Sequence, residues 1–434
     1  MAGGTFISYN KVRAGVYINF RTADTAGASV GERGTAALPL SLGYGPAGVL
    51  IRVDRDTDVR KALGYSGGSD ALLLLRECAK RARAVLVYRL NDGEKASGTG
   101  GGLTATARYG GSRGNDFTVK VAQEGEAFRV ETWLDGELLD SQTVSQAGEL
   151  AANDWLEFSG SALSAQAGIR LSGGSDEEAD ADDYTAFFKA LETADFQTAA
   201  IPSSDAAVKQ AAAAFVKRMR EEEGVKVQVV AAEYPQADYE GVISVKNGVV
   251  LEDGTRITKE MATAYAAGMT AGAQVNQSNT YGVYDGAADV DERFTNSQIV
   301  EALKAGEWVF VPRDGGVVVE QDINTFTSHT PQKGAAFSKN RLVRVMDTLA
   351  NDIKALFEGQ YLGKVGNSAD GRSLFQAAVA GYLEQLQAIG AIDAFDSRED
   401  IQVLPGESAD AVVVNLAIRP VDSMEKLYMT VEIQ

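Results

Sequence analysis

The chain has 434 residues, 45% of them hydrophobic and 23% charged, which is typical of a globular protein with about two to four domains. Its net charge of −19 argues against a general nucleic-acid-binding protein and against an anionic membrane surface as partner, because both require a basic surface. No apolar run reaches about 18 residues and the start lacks an apolar signal segment, so we expect neither a transmembrane helix nor a signal peptide. The single cysteine excludes an intrachain disulfide and favours synthesis in the cytoplasm.

The first predicted element is a short strand near the amino terminus. In the sequence GVYINF, Val16, Ile18 and Phe20 alternate with Tyr17 and Asn19. A period of two indicates a strand with one buried face. This strand needs a partner elsewhere in the protein.

Residues 35–53 predict two strands joined by a glycine-rich turn. The turn contains the spacing Gly43-x-Gly45-x-x-Gly48, which formally matches a dinucleotide-binding fingerprint. That motif requires a helix after the third glycine, whereas here the strand-like sequence VLIRV follows. We therefore interpret the segment as a hairpin-like turn and not as a nucleotide site.

A helix is predicted to begin at Ser69 and Asp70, which are good N-cap residues. Its apolar face includes Cys78, so we expect this cysteine to be buried and not a nucleophile. The apolar run 84–90 predicts a strand covered on both faces. Strand, helix and strand together indicate the start of an α/β domain.

The composition changes after Asn91, where residues 93–114 are rich in glycine and serine. Short alternating segments follow, and the region ends in the acidic run 176–183, which we expect to be a solvated linker. We interpret residues 94–183 as a small all-β domain, a sandwich, inserted into the α/β domain.

The α/β pattern then resumes with strands at 196–202 and 226–232. Helices are predicted from Ser204 or Asp205 to Glu223, from Thr258 to about Gln274 and from Asn296 to Gly306, and residues 307–322 predict a hairpin. In the second of these helices the small residues Ala264, Gly268 and Gly272 suit close backbone packing, although a core-facing helix is the simpler explanation.

The last section predicts two helices followed by two strands. The helices extend from Ser338 to Gly359 and from about Arg372 to Ile389. In the first strand Val412, Val414, Leu416 and Ile418 point to one side, and the second strand, 426–433, follows a break at Pro420. From the residues alone we favour folding of each terminal strand onto its own sheet, since sequential strands usually neighbour each other. The alternative is exchange of these strands between subunits.

The sequence offers little for catalysis. One histidine, His329, and one cysteine cannot form a histidine-based triad or a common zinc site. Residues 359–364, GQYLGK, resemble a phosphate-binding loop, but the spacing is one residue short and Val365 replaces the required serine or threonine. We therefore predict no enzyme, no metal and no cofactor.

Several stretches together resemble one family, the tail sheath proteins of contractile-tailed bacteriophages and phage-tail-like particles. The stretches are EGVISVKNGVVLEDG, TAGAQVNQSNTYGVYDGA, VEQDINTFTS, FSKNRLVRVMDTLANDI, YLGKVGNSADGRSLF and RPVDSMEKLYMTVEI. The resemblance covers residues 1–93 and about 184–434. It implies a structural subunit that polymerises as stacked hexameric rings around a tail tube and contracts to drive the tube through the host cell envelope.

The resemblance also implies extended arms that add strands to neighbouring subunits, which favours exchange over folding back. It assigns Val16, Tyr17, Ile18, Asn19 and Phe20 to the N-terminal arm, and Val412, Val414, Leu416 and Ile418 to the receiving sheet. The C-terminal arm strand is Lys426, Leu427, Tyr428, Met429, Thr430, Val431, Glu432 and Ile433. Lys364 within the 360–372 loop and Arg372 at its end are candidates for contact with the tube.

The predicted fold class is α/β and α+β, multidomain, with an inserted β-sandwich and a C-terminal α+β domain completed by exchanged strands. The expected domains are an N-terminal arm (1–21), a central α/β domain (22–93 and 184–330), the sandwich (94–183), a tube-proximal domain (331–420) and a C-terminal arm (421–434). The expected partners are further copies of the chain, a tail tube protein, and baseplate and tail terminator proteins, without nucleic acid or membrane insertion. The expected location is the virion tail, after synthesis in the host bacterial cytoplasm. The alternatives are another self-assembling tail, tube or shell protein, and an α/β enzyme.

Overall fold

The computed structural model describes residues 30–433, together with the backbone of residues 2–4 and 15–17. The two short segments pair in parallel as β1 (Ala2–Gly4) and β2 (Gly15–Tyr17). The rest divides into two compact units. The large unit is Gly31–Asn351 with Pro420–Gln434, and the small unit is Asp352–Arg419 with the described residues before Gly31.

The large unit begins with a strand–helix–strand segment, as the sequence predicts. Its elements are β3 (Thr35–Leu40), β4 (Leu50–Val53), α1 (Val59–Leu63), α2 (Leu73–Ala79) and β5 (Ala84–Arg89). All six residues of β5 are buried, as the apolar run predicts. The prediction of a hairpin-like turn is wrong, because β3 and β4 do not pair with each other. They lie on opposite sides of β5, with β3 parallel and β4 antiparallel to it.

A β-sandwich interrupts the α/β part, as predicted. Its strands are β6 (Gly93–Glu94), β7 (Ser97–Gly100), β8 (Leu103–Ala107), β9 (Thr118–Glu124), β10 (Ala127–Leu134), β11 (Glu137–Val144), β12 (Leu156–Gly160), β13 (Gln166–Arg170) and β14 (Ser175–Asp176). One sheet has the order β11-β10-β9-β13 and the other β12-β8-β7. The pair of β6 with β14 joins the points where the chain enters and leaves the sandwich.

The second α/β segment completes the large unit. Its elements are α3 (Ala181–Leu191), β15 (Thr198–Ile201), α4 (Ala206–Glu221), β16 (Gln228–Ala232), β17 (Val242–Val245), β18 (Val249–Leu251), β19 (Arg256–Ile257), α5 (Lys259–Gly272), β20 (Ala287–Val290), α6 (Asn296–Lys304), β21 (Glu307–Trp308), β22 (Phe310–Arg313) and β23 (Gly316–Val319). The acidic run is not simply a solvated linker, because α3 begins inside it and Asp180 and Asp183 form its capping box.

The central sheet has seven strands in the order β21-β17-β16-β15-β3-β5-β4, and every neighbouring pair except β5 and β4 is parallel. Alternation along each strand divides its side chains between two cores. In β3, Ala36 and Leu38 belong to the core that contains α2 and α5, whereas Ala37 belongs to the core that contains α3 and α4. The sheet is therefore covered by helices on both faces, as expected for a parallel sheet.

The last section of the chain contains the two helices and the first strand of the predicted order of helix, helix, strand and strand. Residues 426–433 form no strand, and an unpredicted strand, 401–405, precedes the first one. In the small unit, helix α8 (Ala369–Ala388) packs against β24 (Ile401–Pro405), which pairs with β25 (Val412–Leu416). The preceding helix α7 (Asn340–Leu356) contributes its last residues to this unit. It does not end at Gly359 as a regular helix, because a π-helical turn, Phe357–Tyr361, follows it directly. No helix in the described part of the chain is long and apolar enough to span a membrane.

Candidate self-assembly interface

The two-stranded sheet of the small unit is open. Strands β24 and β25 are antiparallel, with Ile401 opposite Leu416 and Pro405 opposite Val412. Ile401 and Val403 are buried, whereas Val413 is 45% exposed. Within residues 30–433 no other strand pairs with either outer edge. The outer edge of a sheet presents unpaired backbone N–H and C=O groups, so this sheet is suited to accept further strands.

The structure places three of the four predicted receiving residues in β25. Val412 and Leu416 are half-buried and Val414 is exposed, whereas Ile418 lies two residues beyond the end of the strand. The four side chains that the sequence places on one side of this strand are therefore not buried together in the single chain. Their role in receiving a strand stays a prediction.

The predicted C-terminal arm strand, residues 426–433, is exposed to solvent along its whole length. It forms no regular secondary structure and pairs with no described strand of its own chain. The side chains of Leu427, Val431 and Ile433 are 84%, 70% and 96% exposed, respectively. Four apolar side chains, Leu427, Met429, Val431 and Ile433, alternate with the rest, which is the pattern of a strand that can bury one face. We call residues 426–433 the donor segment.

The residues before the donor segment are attached to the large unit. We call residues 421–425 the arm root. The carboxylate of Glu425 accepts hydrogen bonds from the Lys339 ammonium group and, at 2.8 Å, from Thr280 Oγ1. Arg341 Nη1 donates to Ser423 Oγ at 2.7 Å. Only 7% of the Glu425 side chain is exposed, in contrast to the donor segment that follows.

The arm root lies over a buried polar network at the start of α7. The backbone N–H of Asp322 donates to Thr280 Oγ1 at 2.9 Å, and the carboxylate of Asp322 accepts from Asn340 Nδ2 at 3.0 Å. Arg344 Nη1 donates to the carbonyl oxygen of Gln277 at 2.6 Å. No spacing pattern in the sequence marks this anchor, because its charged and hydroxyl residues are isolated and lie far apart along the chain.

The two candidate tube-contact residues have intrachain hydrogen bonds. Arg372 Nη1 donates to the carbonyl oxygen and to Oδ1 of Asn367, at 3.1 and 2.9 Å, and lines a small cavity of about 90 Å³ in the small unit. Lys364 is exposed, and its ammonium group donates to the carbonyl oxygen of Gly359. Contact of either residue with a tube stays a prediction.

Only part of the N-terminal arm falls within the described residues. Val16 and Tyr17 belong to β2, of which the backbone alone is described. Ile18, Asn19 and Phe20 lie outside the described residues. The exchange of this arm stays a prediction.

The glycine motif positions the sandwich. The Tyr65 hydroxyl accepts from the N–H of Gly43 at 2.9 Å, and the Gly43 carbonyl accepts from the N–H of Arg113 at 3.1 Å. In the same loop the Tyr44 hydroxyl donates to the carbonyl oxygen of Trp155 at 2.6 Å. The loop thus packs against sandwich residues.

The other chemically distinctive residues have structural contacts. Cys78 is fully buried, as predicted, and burial raises the pKa of its thiol to about 12. His329 Nε2 lies 2.7 Å from Ser338 Oγ at the surface. Among the described residues no group of three or more histidine, cysteine or carboxylate side chains is arranged to hold a metal ion.

Comparison with known proteins identifies the family along most of the chain. Residues 33–90 match the tail sheath protein Gp18 domain III N-terminal region, 91–176 the phage tail sheath β-sandwich domain, 177–325 the central domain and 332–434 the C-terminal domain. A sheath tail protein from Desulfitobacterium hafniense is 48% identical, with a TM-score of 0.87, over 96% of this chain and 99% of that protein. The chain belongs to the phage tail sheath family.

Two further relatives are informative. The phage-like element PBSX protein XkdK of Bacillus subtilis (strain 168) is 41% identical over the full length of both chains. The anti-feeding prophage helical sheath in its contracted state is 15% identical, with a TM-score of 0.61, over 96% of this chain and 98% of that one, and so shares the fold. The family and the fold are those of structural sheath proteins, with a β-sandwich inside a central domain and a C-terminal domain.

Proposed function

We propose that this sheath protein polymerises as stacked hexameric rings around a tail tube, and that its contraction drives the tube through the host cell envelope. Polymerisation is proposed to use the donor segment, which adds to the β24–β25 sheet of a neighbouring copy. The observation that carries this proposal is the combination of an unpaired, alternating, exposed strand and an open two-stranded sheet in the same chain.

The physical argument is strand addition. A donor strand satisfies the backbone N–H and C=O groups along a sheet edge, and its alternate side chains enter apolar surface. Exposed Leu404, Val413 and Val414 provide such surface on the receiving sheet. Because the sheet has two outer edges, it has room for the C-terminal arm of one neighbour and the N-terminal arm (16–20) of another.

Exchanged arms also suit contraction. Eight extended residues can reach about 26–29 Å, so subunits can remain linked while their folded units move. The work is proposed to come from an assembly with two stable arrangements, in which the interfaces change and the arms stay paired. A tail tube would serve as the template for such an assembly, and a baseplate and a tail terminator would contact its two ends. The assembly would form in the host bacterial cytoplasm.

The test is electron microscopy of the purified chain beside a chain that ends at Glu425. We expect the full chain to form rings or tubes and the shortened chain to remain monomeric, because the shortened chain keeps the arm root but lacks the donor segment. A matched control is Val431→Thr, which keeps a β-branched side chain while replacing one methyl with a hydroxyl, and should weaken assembly without abolishing it.

Equal assembly of the full and shortened chains would contradict a role of the donor segment. If neither chain assembles alone, the same pair is added to tail tubes. Polymerisation of the shortened chain around the tube would then overturn the proposal.

A further inference from the structure

We propose that Glu425 is a positioning residue that fixes the starting point of the C-terminal arm, so that the chain donates a strand from an anchored root. The inference rests on the proposed function and concerns how the arm is directed before it meets a neighbour. The anchor divides the arm into a held part, 421–425, and a free part, 426–433.

The anchor is built from three side-chain hydrogen bonds and one longer ion pair, between Lys339 Nζ and the Asp422 carboxylate at 3.8 Å. The Glu425 carboxylate accepts hydrogen bonds from Lys339 and Thr280. The Ser423 hydroxyl oxygen accepts one from Arg341. Lys339 and Arg341 flank the first residue of α7, whereas Thr280 comes from the loop between α5 and β20. Two separate parts of the large unit therefore hold the same carboxylate.

Burial makes the Glu425 contacts stronger than an ordinary surface ion pair. The side chain of Glu425 is 7% exposed and that of Lys339 is 25% exposed. Hydrogen bonds to an ionised group are shorter and stronger than neutral ones, and a buried charge without its partner is costly. The exposed Met424 on one side and Lys426 on the other show that the burial is local to Glu425.

Thr280 extends the anchor into the interior. Its hydroxyl donates to Glu425 and accepts from the backbone of Asp322, whose carboxylate bonds to the buried Asn340. A pull on the arm is thereby transferred to the buried start of α7 and not to a loose surface loop.

An anchored root would assist assembly by limiting what must be ordered. Docking of a free chain end requires fixing every residue from its last attachment point, and pre-organisation removes that cost for the residues already held. With the anchor, only the donor segment loses conformational entropy on docking. The donor segment can reach only those sheet edges that lie within the length of eight extended residues.

The first test measures the arm root in the free subunit. A nitroxide label is placed on Met424→Cys, an exposed position, while the native Cys78 is fully buried. We expect a slow-motion spectrum in the parent and a fast-motion spectrum with Glu425→Gln. The matched control Glu432→Gln makes the same change in the donor segment and should leave the spectrum unchanged. Equal mobility of the label in the parent and in Glu425→Gln would overturn the proposal that Glu425 anchors the arm root.

The second test measures assembly and includes rescue. We expect Glu425→Gln to raise the protein concentration needed for assembly by about tenfold, which corresponds to 1.4 kcal/mol. The pair Lys339→Glu with Glu425→Lys should recover part of this loss, whereas either change alone should not. Assembly of Glu425→Gln at the parent concentration would overturn the positioning role. Failure of the parent itself to assemble, alone or on tail tubes, would refute the proposed function, and the label spectra would still decide whether the root is anchored.

Discussion

A buried ion pair joins α4 to α7 in the large unit. Arg220 Nη1 and Nη2 donate to the two carboxylate oxygens of Asp347, at 2.6 and 2.7 Å. The two side chains are 5% and 10% exposed, and the Arg220 guanidinium also donates to the carbonyl oxygen of Val227 at 3.1 Å. Such a pair can be neutral for stability as a whole, but removal of one member leaves a buried charge.

We predict that Asp347→Ala lowers the free energy of unfolding by about 3 kcal/mol, because Arg220 loses its two hydrogen bonds to Asp347. This is the lower end of the range for a broken buried pair, since Arg220 keeps the buried carboxylate of Glu240 at 3.8 Å. The control is Glu192→Ala, which removes a half-exposed partner of Arg218 and should cost less than about 1 kcal/mol. Urea denaturation followed by circular dichroism measures both. Equal effects of the two changes would contradict the assigned role of burial.

The cysteine gives a second prediction for a single residue. Cys78 is fully buried, and burial raises its pKa to about 12, so both access and thiolate are lacking near neutral pH. We expect no reaction with a thiol reagent at pH 8 in the folded protein and one equivalent in denaturant. Rapid labelling of the folded chain would show that α2 opens or that the thiol is accessible.

At the scale of elements, helix α5 shows what sequence patterns cannot resolve. Every residue from Ala262 to Ala271 is buried, so no polar face marks its orientation. An added Cβ at Gly268 would lie 2.1 Å from the carbonyl oxygen of Cys78, and one at Gly272 would lie 2.0 Å from that of Arg81. The close backbone packing that their spacing suggested is therefore present, against α2 and the residues after it.

We predict that Gly268→Ala destabilises the protein by about 1–3 kcal/mol, because its methyl group would overlap the α2 backbone. The control is Gly381→Ala in α8, where an added Cβ meets nothing within 4 Å. Removal of a helical glycine there should stabilise the chain by about 0.5–1 kcal/mol. Thermal unfolding of the two variants should shift in opposite directions, and a shared direction would contradict the packing.

The sandwich gives a prediction about a removable element. Joining Asp92 to Glu177 deletes the strands between them, because β6 and β14 already bring these ends together and α3 begins only at Ala181. We predict that this chain still assembles but unfolds at lower urea concentration, since it loses the Tyr44 hydrogen bond and packing to the sandwich. Tyr44→Phe, with the sandwich kept, separates the hydrogen bond from the packing. A folded deletion variant that fails to polymerise would show that the sandwich is required.

The sequence predicted where helices and strands lie along the chain better than it predicted which strands pair with each other. Strand β5 and helix α4 were found because a buried apolar run and an N-cap at Asp205 are local signals. The place of β4 beside β5 was missed, because pairing depends on contacts distant along the chain. For the candidate interface, the alternation of 426–433 predicted a strand with one buried face, whereas its role as a donor strand came only from the family resemblance and stays a prediction. Nothing local marks Glu425 as its anchor.

At the scale of the whole molecule, the proposed addition of the donor segment to a neighbouring sheet sets two free-energy contributions against each other. Full burial of an apolar side chain such as Leu427 or Val431 contributes about 1.5–3 kcal/mol. Fixing the backbone costs about 1–2 kcal/mol per residue, so a single arm contributes a small net free energy. The assembly would then depend on many such arms together, which suits a polymer whose subunits must remain linked while they move.

The most direct measurement is a cross-link between two differently tagged chains. One chain carries Val413→Cys in β25, and the other carries a cysteine moved one residue at a time from Leu427 to Val431. A disulfide requires Cα atoms about 4.4–6.8 Å apart, so the yield reports which arm residues lie beside the receiving strand. We expect disulfides between the two tagged chains, with a yield that alternates with a period of two along the arm. The control is a single chain that carries both cysteines, and the receiving cysteine is also placed at Leu404 in β24. Disulfides formed only within the control chain, or none between tagged chains with either receiving position in assembled material, would contradict strand exchange.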